Sequence, residues 1–308
     1  MPSTRREFLA GSLGLAAALV TAGCIGDSPG NTDSPTDSPT DSPTEPKGSP
    51  SETEVPPPAS SDRTVGGATV AVFDIVAEKA VTYESIMGSG GVVAPAGKQF
   101  VVASVRSDAE LEMDAFSLDA GGESWAAVDP GDEGAQNYAV AGHEGGIVGS
   151  PELGGSDDAR YVAFELDSPL DADDARIVLE RGGESGEWEL PPDARETLAA
   201  SAPSFELDSL SVPDSVDRGE TFDVELTATN TTETAGRFLA AAYWPTRIAD
   251  DDESHLIERS VDAGETVTAS LSIDTEDTQT DEGSATLRLS GHVDAEREIT
   301  VVGGTRTA

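Results

Sequence analysis

The chain has 308 residues, enough for two or three domains of ordinary size, with 32 glycines, 19 prolines and only 5% aromatic residues. Its 59 acids against 18 bases give a net charge of −41, and only Lys47, Lys79 and Lys98 stand beside 15 arginines. That balance excludes nucleic acid as a partner, since no basic patch exists to meet phosphate, and the single cysteine excludes an intramolecular disulfide.

The charge is spread along the chain. Residues 1–24 hold Arg5, Arg6 and Glu7, residues 25–62 hold eight acids and one base, and residues 63–308 hold the other 50 acids and 15 bases. Such a surface repels itself in dilute salt. At molar salt the Debye length is about 3 Å and the repulsion is screened. Short acids in place of lysine also remove apolar stems that strong salt would drive together. The composition resembles that of proteins from extremely halophilic archaea, which implies a molar-salt setting.

At the N-terminus, Thr4-Arg5-Arg6-Glu7-Phe8-Leu9 leads into an apolar run from Leu9 to Val20, then small residues and Cys24. A basic start, a short apolar stretch and a small-residue zone make a signal peptide. The run is about a dozen residues, short of the roughly 20 that span a bilayer. The pattern Ser/Thr-Arg-Arg-x-Phe-Leu, met at Thr4, Arg5, Arg6, Phe8 and Leu9, resembles a twin-arginine export signal. Thr21-Ala22-Gly23-Cys24 resembles a lipobox, with Thr21 where leucine is usual. The resemblance to haloarchaeal twin-arginine-exported lipoproteins implies lipid on Cys24, a partnership with the membrane through that lipid, and a place on the outer face of the cell membrane. The competing readings are an ordinary core cysteine and an uncleaved N-terminal anchor.

Residues 25–62 form a low-complexity tract in which Thr-Asp-Ser-Pro is repeated three times from Thr32 to Pro43. It has almost nothing apolar to bury and cannot offset its ordering entropy, so a disordered stalk is expected. Its hydroxyls are candidates for O-linked sugar, as on mucin-like stalks.

The pattern changes after residue 62. Strands are expected at 68–76, 99–105, 115–118, 124–128, 161–166, 176–179 and 187–190, with turn signals at 88–91, Gly121-Gly122, Pro130-Gly131, Gly154-Gly155 and Gly182-Gly183. Phe73, Phe100, Phe116, Trp125, Phe164 and Trp188 are the expected core aromatics. A first strand before a long loop (Glu78 to Ala94), the run Gly97-Lys98-Gln99-Phe100-Val101-Val102, and Phe116-Ser117-Leu118-Asp119-Ala120-Gly121-Gly122 carry a further likeness. Residues 65–192 resemble an immunoglobulin-like domain of unknown function found on prokaryotic lipoproteins. Where that family often has an Asn-ending strand, this chain has Val105-Arg106-Ser107-Asp108.

Residues 193–204 read as a linker. Phe205–Leu210, the strictly alternating Asp223–Asn230, and the strand–turn–strand Val261–Val267 follow. Val212-Pro213-Asp214-Ser215-Val216, Gly219-Glu220-Thr221-Phe222 and Thr229-Asn230 make residues 205–302 resemble an adhesion-type immunoglobulin or fibronectin-like repeat. The expected fold class is all-β: two tandem immunoglobulin-like antiparallel β-sandwiches, at 63–195 and 203–303, after the signal (1–24) and the stalk (25–62). Asn230-Thr231-Thr232 is the one Asn-x-Ser/Thr acceptor, expected exposed at a strand end and a candidate for N-glycosylation. The other reading is a plain turn asparagine.

Catalytic and metal signals are few. His143, His255 and His292 have no metal-ligand spacing and read as surface or turn residues; Met87 and Met113 suggest no copper site with them. Gly183-Glu184-Ser185-Gly186-Glu187 lacks the last glycine and the helix of a nucleophile elbow. The acid clusters at 157–158, 171–174, 250–253 and 274–282 suit calcium chemically but match no EF-hand loop, so a solvated acidic face is the simpler reading. Tyr243-Trp244-Pro245 reads as a strand end with aromatic anchors, the other reading being an exposed sugar- or partner-binding patch. No cofactor, metal site or catalytic residue is expected. The sequence therefore points to a non-catalytic, lipid-anchored surface module for adhesion, envelope structure, or binding of a surface protein or glycan. The alternatives are an extracytoplasmic solute- or metal-binding accessory lipoprotein, and an enzyme whose site has no recognisable motif.

Overall fold

A computed structural model describes residues 61–85, 90–131, 137–150, 159–247 and 253–303. The expected export signal, the lipid site at Cys24 and residues 25–60 of the stalk lie outside them. The described part is all-β, built from several largely antiparallel sheets, with one short α-helix and a three-residue 3-10 turn. Among the described residues no helix is long and apolar enough to cross a membrane.

The first twelve strands are β1 (Asp62–Val65), β2 (Ala68–Glu78), β3 (Val81–Ser85), β4 (Gly90–Val93), β5 (Lys98–Ser107), β6 (Phe116–Ala120), β7 (Glu123–Val128), β8 (Asn137–Val140), β9 (His143–Glu144), β10 (Ala159–Asp167), β11 (Arg176–Arg181) and β12 (Glu184–Glu189). Eight of them make one sheet in the order β1-β2-β5-β10-β7-β6-β11-β12, and four make a smaller one, β4-β3-β8-β9. The large sheet curls nearly into a barrel. Its β1 end meets the β11–β12 hairpin at the other end through side chains: Arg181 Nη1 donates to the Gly66 carbonyl at 2.5 Å, the Gly66 N–H to Glu184 Oε2 at 2.8 Å, and Trp188 Nε1 to the Ser61 carbonyl at 2.6 Å.

This arrangement explains the apolar runs. On β5, Val101, Ala103 and Val105 point into the curled sheet with Phe116, Phe164, Ile177 and Trp188. Phe100 and Val102 point out, where β10's Tyr161 and Ala163 join Val81, Tyr83 and Val140 of the small sheet. Strands buried on both faces have no polar face to show, so their sequences run apolar without alternation. The expected loop between Glu78 and Ala94 instead supplies β3 and β4, which cover that outer face. Phe73 and Trp125 are only half-buried, with Arg106 stacked 5.0 Å above the Phe73 ring.

The expected linker also holds structure. Helix α1 (Pro192–Ala199) starts with proline in its first turn, which suits the missing N–H there. It packs Ala194 and Leu198 into the first core.

The last eight strands are β13 (Phe205–Ser211), β14 (Ser215–Asp217), β15 (Thr221–Asn230), β16 (Gly236–Trp244), β17 (Glu253–Val261), β18 (Thr266–Asp274), β19 (Gly283–Gly291) and β20 (Ala295–Val302). They pair only among themselves, as β13-β15-β18 and as β14-β20-β19-β16-β17, and the two sheets share one core. All pairings are antiparallel except β14 with β20. Trp244 is fully buried in this core, edge-on to Phe222 at 5.0 Å, with Nε1 donating to Thr278 Oγ1 at 2.8 Å.

Between β19 and β20 the His292 ring lies against Phe205 and Phe238, and the Leu239 N–H points at its Nδ1, 2.9 Å away. Burial pushes this imidazole below its ordinary value; the Leu239 carbonyl oxygen, 3.2 Å from Nδ1, opposes the shift, and Arg237 adds to it. A base depressed on folding contributes stability above its unfolded value, about 6.5, and that contribution fades as pH falls further. The stability gap between wild type and His292→Gln is therefore expected to narrow as pH drops from 7 to 5. Denaturant unfolding at fixed molar salt measures it; a pH-independent gap contradicts the reading.

Candidate functional site

Pro57–Ala308 forms one compact unit, and inside it the two sets of strands meet along β16. Phe238, Ala240, Ala242 and Trp244 face the second core, while Leu239, Ala241 and Tyr243 on the other face are covered by Ala80 and Val92 of the first set. Gly91 passes so close that a Cβ there would collide with the hydroxyls of both Tyr243 and Tyr83. Its N-terminal neighbour Gly90 donates its N–H to Ser254 Oγ at 2.9 Å. Glycine is needed here for the close approach of the two chain segments.

Polar bonds flank this apolar joint. Arg237 sets Nη2 3.3 Å from Glu78 Oε2 and Nη1 3.3 Å from Glu258 Oε1, and Nη2 also donates to the Ala80 carbonyl at 3.4 Å. Burial raises the Glu78 carboxyl above its usual value, Arg237 opposes that, and Glu258 adds to it. Next along β2, Lys79 Nζ reaches the Ala200 carbonyl and Gln99 Oε1, both at 2.6 Å, Ser168 Oγ at 3.1 Å and the Leu198 carbonyl at 3.5 Å. An ammonium has three protons, so these acceptors occupy all of them. Two of the acceptors lie at the C-terminal end of α1, where the helix dipole favours a cation. Burial pulls the Lys79 ammonium down to about 8.

Between these groups opens a cleft of about 400 Å³, walled by Glu78, Lys79, Asp193, Glu196, Thr234 and Arg237 among others. Its lining holds no histidine and no cysteine, and its two cations are engaged by protein acceptors. The arrangement suits a braced joint, with room in the cleft for a small polar molecule.

The candidate residues read from the sequence are scattered. Arg5, Arg6, Phe8, Leu9, Cys24 and Met87 lie outside the described residues, as do the acids at 157–158 and 250–252. Asn230 is fully buried, which corrects its expected exposure. Its Nδ2 donates to the carbonyls of Thr234 at 2.8 Å and Asp262 at 3.2 Å, and its Oδ1 accepts from the Thr232 N–H and hydroxyl. The amide clasps two turns together, so its nitrogen is closed to a glycosyltransferase once the chain has folded. Tyr243 and Trp244 are buried, which removes the exposed-patch reading in favour of core anchors. His143 is buried on β9, with Nε2 2.6 Å from the carbonyl oxygen of Asp74 at a bulge in β2. His255 stands on edge strand β17. Met113 is partly buried against the first core. Ser185 lies inside β12, and α1 begins only at Pro192, so no strand–turn–helix elbow carries it. In the acid clusters, Asp174 accepts from the Gly121 N–H, Asp274 from the Glu276 N–H, and Asp281 pairs with Arg218 and Arg247. Among the described residues no group of three or more metal-ligating side chains converges. The joint residues Glu78, Lys79 and Arg237 carry no motif that marks them in the sequence. Their one signal is a lysine retained at 79 in a chain that otherwise avoids it.

No protein-family profile matches the chain, and no curated protein resembles it in sequence. Solved structures give partial likenesses. A β-glucosidase from Listeria innocua with laminaribiose is 22% identical over 34% of this chain and 17% of its own, at a TM-score of 0.29. The alkylpurine DNA glycosylase AlkC of Pseudomonas fluorescens is 13% identical over 35% of this chain and 32% of its own, at 0.27. The β-glucosidase DesR of Streptomyces venezuelae is 10% identical over 76% of this chain and 46% of its own, also at 0.27. The chain spans under half the length of each, and likeness at these scores carries no argument about activity.

Lys79→Met keeps the stem and removes the ammonium, leaving buried acceptors unpaired. A loss of about 1–3 kcal/mol is expected, read by urea unfolding at molar salt. An unchanged midpoint means that the ammonium contributes nothing to the joint.

Proposed function

We propose that this chain is a lipid-anchored, extracytoplasmic surface protein of a halophile. In this reading Cys24 carries the lipid, the stalk expected over 25–62 gives way to β1 at Asp62, and the folded part is a non-catalytic module for adhesion, envelope structure or partner binding. The reading takes residues 205–302, with their two sheets over one core, as an immunoglobulin-like sandwich. The observation that carries it is the joint. The two cations of the cleft are tied to structural acceptors, Lys79 with all its protons and Arg237 to two carboxylates and a carbonyl. Groups held this way brace two bodies against each other and are poor candidates for proton transfer. The alternative, a solute- or metal-binding accessory lipoprotein, draws support from the cleft volume alone.

Wild type from native membranes is expected to begin at Cys24, carry a two-chain lipid and partition with membrane, while Cys24→Ser is shed or left unprocessed. The same intact-mass measurement is expected to show Asn230 without sugar. A soluble, unlipidated wild type indistinguishable from Cys24→Ser removes the anchor and the surface address with it. Salt gives an independent check. Moving from molar KCl to about 0.1 M lengthens the Debye length to about 10 Å. The unscreened acidic surface is expected to cost about 3 kcal/mol, or roughly 10 °C in melting temperature. A melting temperature indifferent to salt rules out the halophilic reading.

A further inference from the structure

We infer that β18 is a self-association edge, through which two copies of this chain pair antiparallel and join their three-stranded sheets into one of six strands. Strand β18 lies at the margin of the β13-β15-β18 sheet, and among the described residues no strand pairs with its other side. Its register with β15 is unbroken over nine residues, from Thr221↔Asp274 to Thr229↔Thr266, so the edge is regular along its whole length. An edge of that kind presents a row of free main-chain donors and acceptors.

The other margins of these sheets carry the usual devices against pairing. Strand β13 has a register shift between Leu207 and Ser209 and carries Glu206 and Asp208. Strand β12 carries Glu184, Glu187 and Glu189, β17 carries Glu258 and Arg259, and β14 is only three residues long. In a chain that is 25% charged, β18 (Thr-Val-Thr-Ala-Ser-Leu-Ser-Ile-Asp) has one charge, at its last position. Two of its exposed hydroxyls are drawn to the β15 side: Ser272 donates to Asp223 Oδ1 at 2.7 Å, and Thr266 lies 2.9 Å from Thr229. That leaves the outer main chain clear.

A second copy fits this edge because a two-fold axis at Ser270, the midpoint, sets Thr266 opposite the partner's Asp274 and puts no carboxylate opposite another. A two-fold contact of this kind is isologous and closes at the dimer. A strand edge alone buries less than the roughly 1,200 Å² of stable complexes, so the dimer is weak and needs molar salt to screen the repulsion between copies.

Ser270→Cys in the full chain with Cys24→Ser places one thiol on the proposed axis. Diamide, which takes two electrons per disulfide, is expected to trap that variant as a dimer roughly tenfold faster than a Glu206→Cys control on the opposite edge, because pairing raises the local thiol concentration. Ser270→Lys on the same background sets two ammonium groups face to face and is expected to abolish the dimer seen by sedimentation at molar KCl and high protein concentration. Equal trapping at 270 and 206, or sedimentation of the Cys24→Ser parent as a monomer under those conditions, overturns the inference.

Discussion

Strands β5, β10 and β16 are buried on both faces, and their cover sets the rest of the architecture. Strands β5 and β10 pack one face into the curled sheet and the other under the small sheet. Strand β16 packs one face into the second core and the other under β4. The hairpin β3–β4 belongs to both arrangements, since Val81 and Tyr83 cover β5 and β10 while Val92 covers β16. Without it three apolar strands would meet water at once, and the exposed area would drive collapse or association. The hairpin can lie there because Gly91 has no side chain to hold it away from Tyr243.

Much of this was legible as pattern. Alternation in Asp223–Asn230 marks a strand with one wet face, and β15 has one. The uninterrupted apolar runs Phe100–Ala103 and Phe238–Trp244 carry a second message, that such a strand is covered twice. What covers it was illegible. Residues 79–94 are short, glycine-rich and weakly patterned, because β3 and β4 gain their stability from the surfaces they cover and little from their own propensity. Helix α1 hid for a related reason: eight residues with only Ala194 and Leu198 buried give too little apolar face to register as a period. The curl of the large sheet was equally silent, since its seam rests on Arg181, Glu184 and Trp188 reaching single backbone groups far away in sequence.

The site residues divide in the same way. A motif names a residue type, and burial decides what that residue does. Asn230 satisfies the acceptor pattern for a sugar, yet its amide is consumed by two turns that converge only in three dimensions. Trp244 and Tyr243 read as core anchors in sequence, which their burial bears out, and a binding patch stood beside that reading because nothing local says which side of β16 is covered. Lys79 and Arg237 carry no motif, and their acceptors lie 20 to 121 and 21 to 159 residues away in sequence respectively.

The distribution of charge links the joint to the setting. Acids cover the surface, where their repulsion depends on salt, while Lys79 and Arg237 are drawn into the joint and hold acceptors at short range. Half-buried bonds of this kind are screened less than exposed charges, so dilution of salt strains the surface before it strains the joint. The apolar contact between Val92 and β16 does weaken slightly as salt falls, because strong salt reinforces burial. Both effects act on the whole of residues 57–308 as one unit, whose parts share the β3–β4 hairpin. The two sets of strands are therefore coupled: loosening the joint uncovers β16 from one side and removes support from β5 and β10 on the other. The β3–β4 hairpin is thus a cover common to both cores, and a change in it is felt on both sides.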